Sequence, residues 1–394
     1  MPIQQSMVCL ALFVTFALDA APKVVVPPAQ VQRALMLDVF YQKHVDVGGF
    51  SIVSSGKVSD YALLEAAYLI KRMLGGREDI LKAMAKNKVR FAIMAHNEYT
   101  TDIPEHRNLQ PRLYWNKRAR GLGATPERPA VSCGEENLLL YPKDPYSTEN
   151  ILIHEFAHAI HLMGLSETDS TFDERLEATY NAAMKQKLWK GKYAARNHHE
   201  YWAEGVQSWF GTNRENDFDH NHVNTRAELR KYDPRLAKLV EEIFGDGKWR
   251  YIRPENRRPT SAHLKGYDSQ KAPTFSWQPR SVAWYKRFEA GKETLAPENA
   301  VEAELLSGES TGWRSPRTPE RTKVYISNAS SRTVRLEWMD FEGNPKGYGD
   351  LRPTDHTEQS TYAGHVFRIV DDKTDKVRHY FVAPKSPGKV ILRD

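Results

Sequence analysis

The chain has 394 residues, 40% of them hydrophobic and 27% charged, with a net charge of +6. That length allows two or three domains with sizeable cores. The cations are dispersed, and no helix-turn-helix, zinc-finger or RNA-binding signature accompanies them. Nucleic acid is therefore excluded as a partner, and the charge is read as solubility or attraction to an acidic matrix.

Residues 7–18 form an apolar run, followed by Ala20 and Ala21 before Pro22. The run is too short to span a bilayer comfortably but suits a signal peptide over residues 1–20, although Met1 to Ser6 carry no Lys or Arg. A secreted or periplasmic location follows, with a buried N-terminal element as the alternative. Cleavage would remove Cys9 and leave Cys133 alone, so no intramolecular disulfide is expected. Cys133 is read as a small buried residue, with a metal-capping thiol as the other choice. Nothing later in the chain reads as transmembrane, and a monomer is expected.

Residues 61–74 are periodic and helical and end at Gly75 and Gly76, residues 78–86 continue as a second helix, and residues 89–94 read as a strand. Residues 96–124 are polar and aromatic without clear periodicity, which suits the wall of a cleft. Residues 137–141 read as a short strand whose unpaired edge can hold an extended peptide. The next helix is expected to start from Ser147 as N-cap and to end at Gly164. Its Ile151, Leu152, Ile153, Phe156, Ala159, Ile160 and Leu162 are apolar almost all round. Helices over 172–188, 198–211 and 234–244 complete an α+β domain assigned to residues 30–255. Residues 256–320, with prolines and scattered Trp277, Trp284 and Trp313, read as a linker with a short helix over 281–291. Segments 324–327, 334–338, 365–370 and 379–382 alternate and are β-branched or aromatic, so residues 321–394 read as a small all-β sandwich.

The apolar helix carries His154-Glu155-Phe156-Ala157-His158. Histidines four apart stand one turn above each other, so both imidazoles can meet one ion, and the glutamate between them reaches its open side as a general base. Burying these groups without a partner would be costly, which favours a zinc site over a plain helix. A catalytic zinc usually takes three protein ligands, so a third is needed. His161 shares the face of His154 and competes for the place, but it sits where zinc-protease helices with a third ligand just beyond the motif need a glycine, and Gly164 sits where that ligand would be. Glu200 is the better candidate, with Glu204 one turn on as a carboxylate that accepts the spare N–H of a ligating histidine.

The stretch ILIHEFAHAIH, with Tyr193 seven residues before Glu200 and Glu204 four after it, resembles the catalytic domain of anthrax lethal factor and the Pro-Pro endopeptidases. The resemblance implies a zincin-like metalloprotease fold holding one Zn2+ ion. It implies His154, His158 and Glu200 as ligands, Glu155 as base, Tyr193 as oxyanion donor and Glu204 behind the ligands.

The C-terminal segment is similar to the β-domain of the von Hippel–Lindau protein, a hydroxyproline reader, most clearly through Trp338-Met339-Asp340-Phe341-Glu342-Gly343-Asn344-Pro345 and Tyr362-Ala363-Gly364-His365. Carried over residue by residue, the hydroxyproline pocket is Trp338, Tyr348, Thr361, His365 and Phe367. Thr361 stands where a serine is usual and Phe367 where a tryptophan is usual. With the chain stopping at Asp394, no elongin-binding helical domain and no ubiquitin-ligase role are expected. A pyrrolidine ring can pack on the aromatics while Thr361 and His365 bond its hydroxyl; unhydroxylated proline would leave them unpaired, a difference of up to about 10⁴-fold. The two halves together suggest a secreted zinc endopeptidase acting on proline- or hydroxyproline-containing proteins such as collagen or wall glycoproteins. The alternatives are a non-catalytic hydroxyproline-binding adhesin, or a protease whose β-domain only docks a partner.

Overall fold

A computed structural model describes residues 22–307 and 312–394. The expected signal peptide and Cys9 lie outside the described residues. Among those residues, no helix is long and apolar enough to cross a membrane.

The first part of the chain runs α1 (Ala29–Leu35), β1 (Lys43–Val47), β2 (Phe50–Ser54), α2 (Asp60–Leu74), α3 (Glu78–Lys86) and β3 (Arg90–Met94). It continues through α4 (Arg112–Arg118), β4 (Gly121–Leu122), β5 (Ala130–Gly134) and α5 (Glu135–Leu139). The five strands form one sheet in the order β1-β2-β3-β5-β4. The inner pairs β2–β3 and β3–β5 are parallel, while the edge strands β1 and β4 are antiparallel to their neighbours. Parallel neighbours need a crossover, and α2 with α3 supply it between β2 and β3.

Next come α6 (Ile151–Ala159), a π-helical turn (Ile160–Leu165), α7 (Ser166–Thr168), α8 (Phe172–Lys185), α9 (His198–Phe210), α10 (Arg226–Tyr232) and α11 (Pro234–Phe244). The apolar surface of α6 packs on the sheet, with Phe156 set edge-on to Phe50 and Phe91 at 5.6 and 6.2 Å between ring centres. Its opposite side meets α9, where Trp202 Nε1 donates to Ala157 O at 2.9 Å.

Three local expectations are corrected. Residues 137–141 are not a strand: Glu135–Leu139 is a short helix closed by Leu140 in a left-handed conformation (φ 57°). There the Asn137 side chain accepts the Ile151 N–H and ties this turn to the start of α6. Asn150, not Ser147, caps α6, its Oδ1 accepting from Ile153 N at 3.1 Å. Gly164 does not end that helix, which runs on through the π turn into α7. A Cβ at Gly164 would meet Ile80 Cγ2 at 2.7 Å, so the glycine serves close approach to α3.

Residues 256–277, expected to be linker, pack back on the first part of the chain. The buried Glu65 carboxylate accepts both Arg257 terminal nitrogens, at 2.6 and 2.8 Å, and faces His263 Nε2 at 2.7 Å. Phe275 is buried, and its N–H donates to Pro142 O. Helix α12 (Pro279–Glu289) then lies against α4, with Tyr285 stacked on Tyr114 at 5.8 Å. At its far end Phe288 stacks on His356 at 4.0 Å, so this helix joins both halves.

The C-terminal part comprises β6 (Val301–Glu302), β7 (Leu306–Ser307), β8 (Arg321–Asn328), β9 (Val334–Met339), β10 (Pro345–Leu351), β11 (His356–Tyr362), β12 (Val366–Asp371), β13 (Val377–Val382) and β14 (Gly388–Leu392). They form two sheets, β10-β9-β12-β13-β7 and β11-β8-β14-β6. Pairing is antiparallel except where β14 runs parallel to β8 and β6. Val324, Ile326, Leu336, Ile369, Phe381 and Val390 fill the space between the sheets. Alternation along each strand places these residues inward and their neighbours outward.

Candidate metal centre

Three donor atoms converge where α6 crosses α9. His154 Nε2 lies 3.2 Å from His158 Nε2 and 3.2 Å from Glu200 Oε2, and His158 Nε2 lies 3.3 Å from that oxygen. Two ligands bound at about 2.0–2.1 Å and the tetrahedral angle stand roughly 3.3–3.4 Å apart, so the triangle has the size of three corners of a zinc tetrahedron. The helical period sets the histidines one turn apart on α6. Asn197 sets the carboxylate, capping α9 by accepting from Glu200 N at 2.9 Å.

Charge also calls for a cation here. Burial works against protonation of His154, but the bond from Glu200 and the charges of Glu155, Glu200 and Glu204 raise its proton affinity well above the usual range. Burial pushes the Glu200 carboxyl up, yet bonds from His154 and His158 hold it far below its ordinary value. A divalent ion answers the same demand as a proton.

The partner of the other His154 nitrogen was not read from the sequence. Gln207 Oε1 is 2.8 Å from His154 Nδ1, whereas Glu204 Oε1 stands 3.8 Å away. The Gln207 amide is oriented by donation from its Nε2 to Glu149 Oε2 at 3.1 Å, which turns its oxygen to the ring. With a proton on Nδ1 donated to Gln207, Nε2 is the nitrogen left to ligate a metal in the triangle. Glu204 is held by Asn213 Nδ2 at 3.0 Å and lies 3.4 Å from His220 Nε2. Gln207 sits seven residues after Glu200, two helical turns on along the same face, and that periodicity was the available signal. Gln207→Leu is expected to weaken Zn2+ affinity about 10–100-fold, measured by competition with a chromophoric chelator. Unchanged affinity would remove Gln207 from the site.

Glu155 and Tyr193 face the triangle from the cleft. Burial raises the Glu155 carboxyl above the usual carboxylate range, against the pull of His154 and His158. Tyr193 OH donates to Glu200 Oε1 at 3.2 Å, and burial together with the Glu200 charge pushes its phenol up, so it stays protonated. Arg118, absent from the sequence-derived set, lines the same cleft, and its charge works against the rise of that phenol's pKa. Cavities of about 440 and 400 Å³ both reach His154, Glu155, Arg118 and Tyr193. Each is within the range of about 300–1,000 Å³ common for ligand sites.

The edge strand β4 passes directly over this helix. A Cβ at Gly121 would come within 2.9 Å of Glu155 Cγ, and one at Gly123 within 2.7 Å of His158 Cβ. Only glycines let the backbone lie so close to the motif. On its other side β4 has no partner strand among the described residues. The free edge expected at residues 137–141 is thus at β4, inside the stretch 96–124 expected to wall a cleft. His161 is outside the triangle, 2.8 Å from Asp173. Cys133 is a free thiol buried in β5, and burial raises its pKa well above the usual range.

In the β-domain, Trp338, Thr361 and His365 come together at the connection from β11 to β12. Thr361 Oγ1 lies 3.0 Å from His365 Nδ1, and the His365 ring is 5.3 Å from Trp338. Phe367 pairs across the strands with Trp338 and is buried in the sandwich core, stacked on Phe381 at 5.2 Å. The exposed Tyr348 ring meets Phe367 edge-on at 6.0 Å. Phe341, which the pocket set omitted, lies 5.4 Å from Trp338 and 5.9 Å from His365. Thr361 and His365 satisfy each other in the free protein, so unhydroxylated proline would not leave both unpaired. The discrimination available is smaller than the pocket composition alone suggested.

The C-terminal architecture is that of a two-sheet β domain, and comparison with known proteins agrees. Residues 313–379 match the family model of the VHL beta domain. The match starts at Trp313, whose ring stacks on Tyr380 at 5.6 Å, ahead of the first strand that holds the resemblance in sequence. No curated protein matches the chain.

Proposed function

We propose that the chain is a secreted, monomeric zinc metalloendopeptidase with a zincin-like first domain akin to anthrax lethal factor and the Pro-Pro endopeptidases. It cleaves proline- or hydroxyproline-containing proteins. The triangle of His154, His158 and Glu200, with Glu155 and Tyr193 beside it under β4, is the observation that carries this reading. A zinc ion on those three atoms would lower the pKa of bound water towards roughly 7 and polarise the scissile carbonyl.

Glu155 takes a proton from the attacking water and returns it to the leaving amine. Its raised carboxyl suits both steps, because a shared base and acid works best with a pKa near the operating pH. Tyr193 donates to the developing oxyanion, and Arg118 adds positive charge behind it. The substrate lies extended along β4, held by main-chain hydrogen bonds. The VHL-like domain binds hydroxyproline against Trp338 and His365 and raises the local substrate concentration.

Matched peptides with and without 4-hydroxyproline test both halves on the whole protein. The hydroxylated peptide should show a KM lower by about fivefold, the worth of one net hydrogen bond of about 1 kcal/mol. His365→Ala should erase that difference and leave kcat unchanged. Equal cleavage of both peptides would make the β-domain a partner-docking module, and binding without turnover would favour an adhesin.

A further inference from the structure

A second group of metal-ligand side chains sits one helical turn beyond the triangle, where the π turn after α6 meets the first turns of α8 and α9. His161, Asp173 and His199 each offer a donor atom, and these atoms lie within 4.8 Å of one another. His161 Nδ1 and His199 Nδ1 are 3.4 Å apart. His161 Nε2 faces Asp173 Oδ1 at 2.8 Å. Burial holds the His161 pKa down to about 4 although Asp173 raises it, so the ring is neutral at neutral pH.

A fourth group points the same way. His198 Nε2 is buried without a hydrogen-bond partner and lies 3.3 Å from the same Asp173 oxygen. Three imidazoles around one carboxylate are more nitrogen than one aspartate needs as a counter-ion. None of these side chains belongs to the first triangle, and the expected single ion makes no use of them.

We propose that His161, His199 and Asp173 form a second site for a divalent transition-metal cation, with His198 as an adjacent donor. Two imidazoles and one carboxylate suit Zn2+, Ni2+ or Cu2+ rather than Mg2+ or Ca2+, which prefer all-oxygen shells. The ion would tie α8 to the π turn and to α9. The site needs no part of the protease reading.

Zn2+ alone, titrated into the chelator-stripped whole protein, tests the site, with bound metal counted by elemental analysis and calorimetry. The unaltered protein should take two equivalents. Asp173→Ala should lose one of them or weaken it at least tenfold, and so should His161→Gln. Asp173 is exposed on a helix, so its variant should keep the circular dichroism of the unaltered protein. Combined His154→Ala and His158→Ala should remove the other equivalent and spare this one. A single equivalent in the unaltered protein, or two in both the Asp173 and His161 variants, overturns the second site. Failure of the paired histidine variant to lose metal would instead count against the first site.

Discussion

Glu155→Gln should lower kcat about 10²–10⁴-fold, the range that one positioned acid–base group supplies. The amide keeps the size of the side chain in the cleft but cannot take a proton from water. Zinc content and peptide KM should stay as they were, because Glu155 is not part of the ligand triangle. Steady-state digestion of a peptide substrate, with metal content measured on the same sample, reads both quantities. Full activity in the Gln variant would show that the base lies elsewhere. Loss of metal together with activity would show that Glu155 acts through the site's architecture.

The largest effect on stability is expected at Arg120. Its guanidinium is fully buried, donates to Glu136 Oε2 at 2.9 Å and also reaches the carbonyls of Ala95 and Glu98. Its face lies 4.9 Å from the Phe275 ring, so it also anchors the returning segment. Arg120→Met leaves the Glu136 carboxylate buried and unpaired, a loss of about 3–5 kcal/mol. Urea denaturation followed through the first domain's transition should show it, and Glu136→Gln in the same chain should restore part. A shift below about 1 kcal/mol would mean that water or another cation reaches Glu136. Because Arg120 precedes Gly121, the same variant should loosen β4 over the cleft.

The elements read most cleanly from the sequence were those with a strong local period. The helices over residues 61–74, 78–86 and 234–244 lie within a residue of the observed α2, α3 and α11. Each has apolar spacing or a terminal signal that needs no distant partner. Residues 137–141 misled because five apolar or neutral residues fit either period, and the side chain of Asn137, bonded to a helix start 14 residues on, decided for a helix. In the β-domain, β6, β7, β10, β11 and β14 were missed. Every residue of β10 before Leu351 is exposed, so it shows no alternation, and β14 pairs parallel with a strand far back in the chain.

By itself, the sequence determined that two imidazoles share one helical face with Glu155 between them, because i to i+4 spacing is a property of the α-helix alone. It also held the alternation that marks the inner strands of the sandwich, and enough of the VHL-like segment to place its aromatic residues. Only the tertiary structure decided which distant groups meet those faces. Gln207 rather than Glu204 takes the His154 N–H, β4 lies over Glu155, and Asp173 reaches His161, because each pairing depends on how helices cross and on glycines that admit a close backbone. Such contacts join residues that no local period relates, so they exist only once the chain is packed.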